Sequence, residues 1–525
     1  MSLETIVVGS GPSGVACAWA LLRAGHRVKM LDTGLHREPE LSERLAQLQT
    51  VDSVAWNAAP EAAFLRKGIG ADTKGIPLKL AYGSDFPYRS LRGGAEVICE
   101  DVYTRRSLAF GGLSNVWGAS MLPYRQGDIG DWPVSEADLA PHYRAVLEHV
   151  PLSGREDDLR ALFPLFADAS PLPMGLQARN LLARLDRNRA ALKEKNVFAG
   201  ASRLAVTHTR GRLCVCCGLC LYGCPLNLIY CSASSVEDLK TQTNFAYVPG
   251  TYIRKAEESG GRAAAEGFDV STGKACSFNA DRIFLACGVL GTTEIALRSM
   301  RAYSTSVRLV DSQYFLQPCL ALNGTRGVTK EHLHTLAQVF IEIVDETISN
   351  YTVHLQTYTY NELYAGAIDS VAGIIGPFVP KEVILSRLIV LQGYLHSHES
   401  PSMNCVLEET EAGDTLRVRI EENPRTRETI RRVQKKLLKC SALTGLIPLM
   451  PLLRIGQPGR GFHSGGSFPM NRSPSGFQSD CLGRIPGFSR VHAVDSSVFP
   501  SIPASTITLT AMANAHRIGT QAAQL

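Results

Sequence analysis

Apolar and polar residues fall into distinct patterns along this chain. Thr5-Ile6-Val7-Val8 is a short unbroken apolar run, the pattern of a strand buried on both faces of a parallel sheet. It is followed by Gly9-Ser10-Gly11-Pro12-Ser13-Gly14, then by a helical stretch, Ala16 to Leu22, and a second strand, Arg27 to Leu31. The same texture returns at Asp281–Gly288, a buried strand ending in glycine, with a helix opening at Leu290 and running to about Arg298. It returns again at Val491–Ser497, a strand ending in an acid, before a closing helix at Thr508–Ala523. Between these runs the period changes. Val353–Tyr360 and Leu416–Ile420 alternate, which predicts antiparallel strands with one face wet. Thr426–Cys440 reads as a basic amphipathic helix with a solvated charged face, and Glu40–Leu48 as a charged surface helix. Leu35–Ser90 otherwise carries no motif. The pattern predicts an α/β Rossmann-like dinucleotide-binding domain, discontinuous in sequence, joined to an α+β domain with an antiparallel sheet.

The first glycine turn carries specific chemistry. Gly9 permits the tight turn, Gly11 lets backbone approach a pyrophosphate on the helix N-terminus, and Gly14 allows close helix–strand packing. Asp32 closes the second strand and can accept from ribose hydroxyls. Strand, helix and acid are in register, which favours dinucleotide binding over an incidental turn, but the motif does not separate FAD from NAD.

Composition narrows the class. The 525 residues exceed one ordinary core, and 45% hydrophobic with 20% charged residues describe a globular chain. A net charge of +5 with no basic stripe argues against a nucleic-acid partner. The longest apolar stretch, Ser441–Leu453, is broken by Pro448 and Pro451, so no transmembrane segment is expected. No signal-like segment precedes the first strand, which predicts a cytoplasmic protein. In that compartment the 14 cysteines read as metal ligands or free thiols rather than disulfides.

Five of them fall in one short stretch, CVCCGLCLYGCP. Cys214, Cys217, Cys220 and Cys224-Pro225 have the C-x2-C-x2-C-x3-C-P spacing of bacterial iron–sulfur ligation. A three-iron or four-iron cluster fits that run, with Cys216 and Cys231 as further candidates. A structural zinc and unligated thiols are the competing readings, although zinc sites usually pair two separated C-x2-C units.

The order of motifs resembles the glucose–methanol–choline family of FAD oxidoreductases. The matching pieces are GSGPSG at Gly9, GGLSNVWG at Gly111, DRIFLACGVLGTTEIALRS at Asp281, HSGG at His463 and VHAVDSSVFPSIPASTITLTAMANAHRIG at Val491. GGLSNVWG together with DWPVS at Asp131 is most similar to the pyranose-oxidase and sugar-dehydrogenase branch, and the cysteine stretch is similar to its iron–sulfur-bearing members. The resemblance implies FAD bound by Gly9, Gly11, Gly14 and Asp32, with Gly112, Ser114 and Asn115 along the flavin. Gly288 would face the adenosine half, and Asp495 the ribityl chain or pyrophosphate. It divides the chain into FAD-binding segments at 1–120, 201–299 (with the cysteine loop) and 456–525, a cap insertion at 121–200 and a substrate domain at 300–455.

His463 falls where the family keeps its catalytic histidine. The implied reaction is oxidation of a sugar or other alcohol hydroxyl by hydride transfer to flavin N5, with His463 as base. The electrons would leave through the cluster to an external acceptor. Two departures stand out. Val116 replaces the histidine that attaches flavin covalently in the pyranose-oxidase branch, which predicts noncovalent FAD. Thr506 or Thr508 stands where the family has an Asn or His partner, and a threonine hydroxyl can hydrogen-bond an alkoxide but cannot act as a base. That substitution keeps a rival open, a non-catalytic electron-transfer flavoprotein. An NAD-dependent dehydrogenase is the third reading.

Overall fold

The computed structural model describes residues 2–53, 56, 64, 78–362, 380–411 and 413–525. Its organising layer is a five-stranded parallel sheet in the order Val491–Ala493, Arg282–Leu285, Glu4–Val8, Arg27–Leu31, Phe245–Val248. The sheet is therefore assembled from three remote stretches of chain. Ile6, Val7, Val8, Ile283, Phe284 and Leu285 are all at most 4% exposed, as the unbroken apolar runs require. The first helix, Pro12–Arg23, packs along the last one, Ile507–Ala522, and both are buried over most of their length. The helix Gly288–Ser299 follows its strand after a short glycine turn.

Beside this layer stands a seven-stranded sheet. Its main path runs Leu446–Pro448, Tyr314–Ala321, Leu388–Tyr394, Val353–Tyr358, Val339–Ile343, Val197–Ala201, with Arg454–Ile455 also on Tyr314–Ala321. All of its pairings are antiparallel. One face carries Phe315, Leu355 and Leu391, packed with Leu181, Leu182 and Leu185 of the helix Leu176–Arg187 and with Ile430, Val433 and Leu437 of the helix Arg425–Lys439. The other face carries His354, Gln356, Tyr358, Gln392 and Tyr394. Period two was expected to mean one wet face. Instead both faces of Val353–Thr357 are buried, because the polar face turns inward and lines a cavity. Alternation marks which side chains share a face; it does not say what covers that face.

A further five-stranded sheet, ordered Ser464–Gly465, Ser306–Asp311, Ser402–Thr410, Gly413–Glu421, Glu96–Glu100, joins the two layers, and Thr251–Ser259, Arg262–Asp269 and Ala275–Ala280 form a three-stranded meander. Arg298 ties the layers electrostatically: it pairs with Glu294 on its own helix at 3.0 Å and with Asp414 at 2.5 Å, all three side chains being 7% exposed or less. Among the described residues no helix is long and apolar enough to cross a membrane.

Candidate functional site

Two adjoining cavities lie where the parallel sheet meets the seven-stranded one. The first, about 220 Å³, runs along the carboxyl ends of the parallel strands and is lined by Gly9, Gly11, Asp32, Gly112, Gly288 and Asp495 among others. Such a crevice is where open α/β sheets bind nucleotides. Gly14 does not line it but makes it possible: a Cβ there would stand 2.0 Å from the Gly9 carbonyl oxygen. Gly11, by contrast, faces open space and caps the first helix, whose N-terminus suits an anion.

Asp32 is buried at the far end of that turn. It accepts hydrogen bonds from the Ser10 hydroxyl and from the Tyr247 phenol at 3.0 Å, and burial pushes its carboxyl up to about 6. Asp495 accepts from Thr292 Oγ1 at 2.5 Å and from the Ser497 amide at 3.0 Å, and burial raises it too. Arg106 lines the same cleft and pairs with buried Glu294. The cleft is elongated, backbone-walled and has a positive helix end beside a ribose-type acceptor. Its residues fit a dinucleotide.

The loop 111–117 both borders the cleft and holds itself in place by side-chain hydrogen bonds. Gly112 lines the cleft against Gly11, its ideal Cβ lying 3.3 Å from the Gly11 Cα. Ser114 donates to the Gly111 carbonyl at 2.5 Å and accepts from the Ser232 amide at 3.0 Å. Asn115 donates to the carbonyls of Phe110 and Gly112 at 2.9 and 2.8 Å, and its carbonyl oxygen lies 3.5 Å from the Cys231 thiol. The polar atoms of both side chains are spent on holding the loop, and neither lines the dinucleotide cleft.

The second cavity, about 270 Å³, shares Pro12, Leu113, Phe462, Ile507 and Thr508 with the first. His463, Thr506 and Thr508 all line it, together with Val116. His463 is carried by a tight segment: its carbonyl accepts the Ser312 amide at 3.0 Å, and the next residue, Ser464, bonds Asp311 at 2.7 Å. Asp311 also accepts the Gly459 amide at 2.9 Å, and burial pushes it up to about 6. The His463 ring stacks on Tyr394, centroids 5.0 Å apart. Burial, helped by His354, pushes His463 down to about 4, so its imidazole is neutral at neutral pH. Its Nδ1 is buried with no hydrogen-bond partner, as is Ser120 Oγ in the same cavity. Unsatisfied polar atoms lining a cavity are what a ligand site looks like before its ligand arrives. Thr506 is less available than Thr508: its Oγ1 accepts the Leu122 amide at 2.8 Å, whereas Thr508 lines both cavities.

The sequence reading passed over the rest of this lining. Gln356, Tyr358, Gln392 and Tyr394 come from the inward face of the seven-stranded sheet, and Lys79 and Arg460 from loops. Behind Tyr394, buried His354 stands 2.7 Å from Glu342, and its Nε2 has no partner. The alternation of Val353–Tyr358 was the available signal, since it places His354, Gln356 and Tyr358 on one face.

The cysteine loop lies against a third, outer cavity of about 840 Å³ that Lys79, Ser114 and Trp117 share with the second. Cys220 is buried, Cys224 accepts the Leu228 amide at 3.4 Å, and burial pushes Cys217 up to about 12 and Cys220 up to about 11. Lys79 donates to the Trp117 carbonyl at 3.1 Å, and burial lowers it to about 8. The spacing of Cys214, Cys217, Cys220 and Cys224 predicted a ligand set. Among the described residues, however, no group of three or more His, Cys, Asp or Glu side chains is disposed to hold a metal ion.

Comparison with known proteins agrees with the architecture. A family model of an NAD(P)-binding Rossmann-like domain matches residues 7–36, which covers the first strand, helix and second strand. No curated protein matches the chain. Among solved structures, pyridoxine 4-oxidase from Mesorbium loti superposes with a TM-score of 0.61 at 15% identity, over 99% of this chain and 98% of that one. At that identity the likeness is one of fold. It extends through both sheets, well beyond the dinucleotide motif.

Proposed function

We propose that this chain is an FAD-dependent oxidoreductase that oxidises a hydroxyl group of a sugar or another alcohol to a carbonyl, passing the electrons to an external acceptor. One observation carries the reading: a buried, neutral histidine, His463, lines a cavity that opens directly onto the dinucleotide cleft. The fold shared with pyridoxine 4-oxidase supports it.

On this reading Gly9, Gly11 and Gly14 let the diphosphate of noncovalent FAD sit on the first helix N-terminus, and Asp32 accepts from the adenosine ribose. Gly288 and Asp495 lie along the rest of the cofactor, Gly112 supplies close backbone approach, and Ser114 and Asn115 fix the loop that does so. FAD, when bound, supplies the hydride acceptor. His463 Nδ1 or Nε2 takes the hydroxyl proton. A neutral imidazole can do this at neutral pH, and a positioned base contributes about two to four orders of magnitude in rate. Tyr394 keeps the ring plane fixed by stacking, and the Thr508 hydroxyl is placed to hydrogen-bond the substrate oxygen. Thr506, already bonded to the Leu122 amide, has a positioning role.

An anaerobic visible spectrum tests the proposal. Pooled sugars and alcohols are expected to bleach the oxidised flavin band, and a protein purified without flavin would overturn it. The spent hydroxyl of Thr506 favours a second reading, an electron-transfer flavoprotein that oxidises no alcohol. A flavin band that only chemical reductants bleach would establish it.

A further inference from the structure

The helix Arg425–Lys439 covers the seven-stranded sheet on the side away from the second cavity and lines neither that cavity nor the dinucleotide cleft. It holds seven Lys or Arg and one acid, Glu428, so this one helix carries more positive charge than the net +5 of the whole chain. Its apolar residues Ile430, Val433 and Leu437 are spent on the sheet. Two of its cations are paired, Arg432 with Glu428 at 3.1 Å and Lys436 with Asp345 at 2.5 Å. Arg427, Arg431, Lys435 and Lys439 are exposed, and no carboxylate pairs with them among the described residues. They recur every four residues, a spacing that sets like charges side by side and works against the helix. Beside them stand two of the four most exposed large apolar side chains among the described residues, Leu438 at 49% and Leu452 at 53%. Gln434 holds the turn Met450–Leu452 against the helix by donating to the Met450 carbonyl at 3.2 Å. Leu438 lies one helical turn beyond Gln434, on the flank it shares with Arg427 and Arg431.

Cations alone would suit any polyanion. Leucines among them suit a charged surface that gives directly onto hydrocarbon. We propose that this face docks on an anionic lipid bilayer. Arg427, Arg431, Lys435 and Lys439 meet the headgroup phosphates, and Leu438 and Leu452 enter the boundary between headgroups and acyl chains. The helix lies along the surface and keeps its apolar residues on the sheet, so the contact is peripheral. This inference stands independently of the alcohol-oxidising reading.

Flotation of the purified protein with vesicles tests it. Vesicles of phosphatidylcholine and phosphatidylglycerol in equal parts are expected to carry the protein, and vesicles of phosphatidylcholine alone are not. Added salt is expected to weaken the binding without abolishing it. The triple variant Arg427→Gln, Arg431→Gln, Lys435→Gln is expected to bind about fivefold more weakly for each cation removed, on the order of a hundredfold in all. The double variant Leu438→Ser, Leu452→Ser is expected to lose the binding that persists at high salt. All five positions are exposed, so both variants are expected to keep the parent melting temperature. No binding to the mixed vesicles, equal binding to the neutral ones, or binding that either variant leaves unchanged overturns the inference. Tighter binding to duplex DNA or to polyglutamate than to the mixed vesicles also overturns it, in favour of a polyanionic macromolecule.

Discussion

The two sheets solve the same problem, holding a ligand in a dry interior, with different materials. The parallel sheet uses backbone. Its cleft is walled by glycine turns and a helix end, and its acids, Asp32 and Asp495, already have protein donors. The seven-stranded sheet uses side chains. Its inward face presents amides, phenols and imidazoles, and several of the polar atoms near it, among them His463 Nδ1, His354 Nε2 and Glu342 Oε2, have no hydrogen-bond partner. A backbone-built cleft recognises one constant ligand and tolerates little change. A side-chain-built cavity can be respecified by substitution, at the cost of buried groups that only a substrate completes.

The sharpest way to break this contrast is at Gly14. A Cβ 2.0 Å from a carbonyl oxygen of the neighbouring turn has nowhere to go. Gly14→Ala is therefore expected to give protein without flavin, or insoluble protein, as judged by absorbance at purification. Retained flavin at full stoichiometry would show that the cleft is not backbone-limited. His463→Ala lies on the other side: flavin retained, turnover down by about two to four orders of magnitude. Unchanged turnover would remove His463 from the chemistry.

Gly393 offers a milder comparison. Its added Cβ would stand 2.2 Å from the tip of the buried Phe315 ring, a side chain that can shift, whereas a backbone carbonyl in a turn cannot. Gly393→Ala is expected to cost about 1–3 kcal/mol in denaturant unfolding, with flavin still bound.

Acid separates the regions again. His142, His334, His396, His463, His492 and His516 are each lowered to about 4 by burial, so the unfolded chain takes up their protons between pH 6.5 and 4 while the folded chain does not. That makes stability fall as pH drops through this window. Asp32 and Asp311, raised to about 6, work in the opposite sense: the folded state binds their protons first, so their contribution declines as pH rises through 6. The imidazoles outnumber them, and the melting temperature is expected to fall on acidification from pH 6.5 to 4. A flat profile would mean that these rings are solvated.

The smallest effect expected concerns His354. Replacing the His354–Glu342 pair by Phe and Leu together removes both buried polar groups at once. The acid limb of kcat/KM, expected near pH 4 in the parent, is then expected to move upward, because His354 helps to hold His463 down.

The legibility of the two regions in sequence follows the same division. Gly9, Gly11, Gly14 and Asp32 were readable because a backbone-built cleft is specified by spacing within one short segment, and the structure brings three of them to the cleft with Gly14 directly behind. Lys79, Gln356, Gln392 and Arg460 were not, because each lies on a separate element and becomes part of one cavity only when the sheets meet. The expected wet face of Val353–Tyr360 failed for the same reason: the residues that cover it come from far along the chain. Ser114 and Asn115 illustrate a third case, in which the motif was readable and the atoms each side chain would bond were not.

The parallel sheet interleaves strands from the first thirty-odd residues, from 245–285 and from 491–493, and His26 Nε2 reaches the Ala523 carbonyl at 3.2 Å across 497 residues of chain. During synthesis the first strand and helix emerge long before the elements that cover them. Their apolar faces must wait, shielded by chaperones or by transient collapse, until residues 491–522 have been made. Cofactor capture then has to follow synthesis of the helix Ile507–Ala522, and a chain truncated shortly before that helix would lose the packing of the first helix as well.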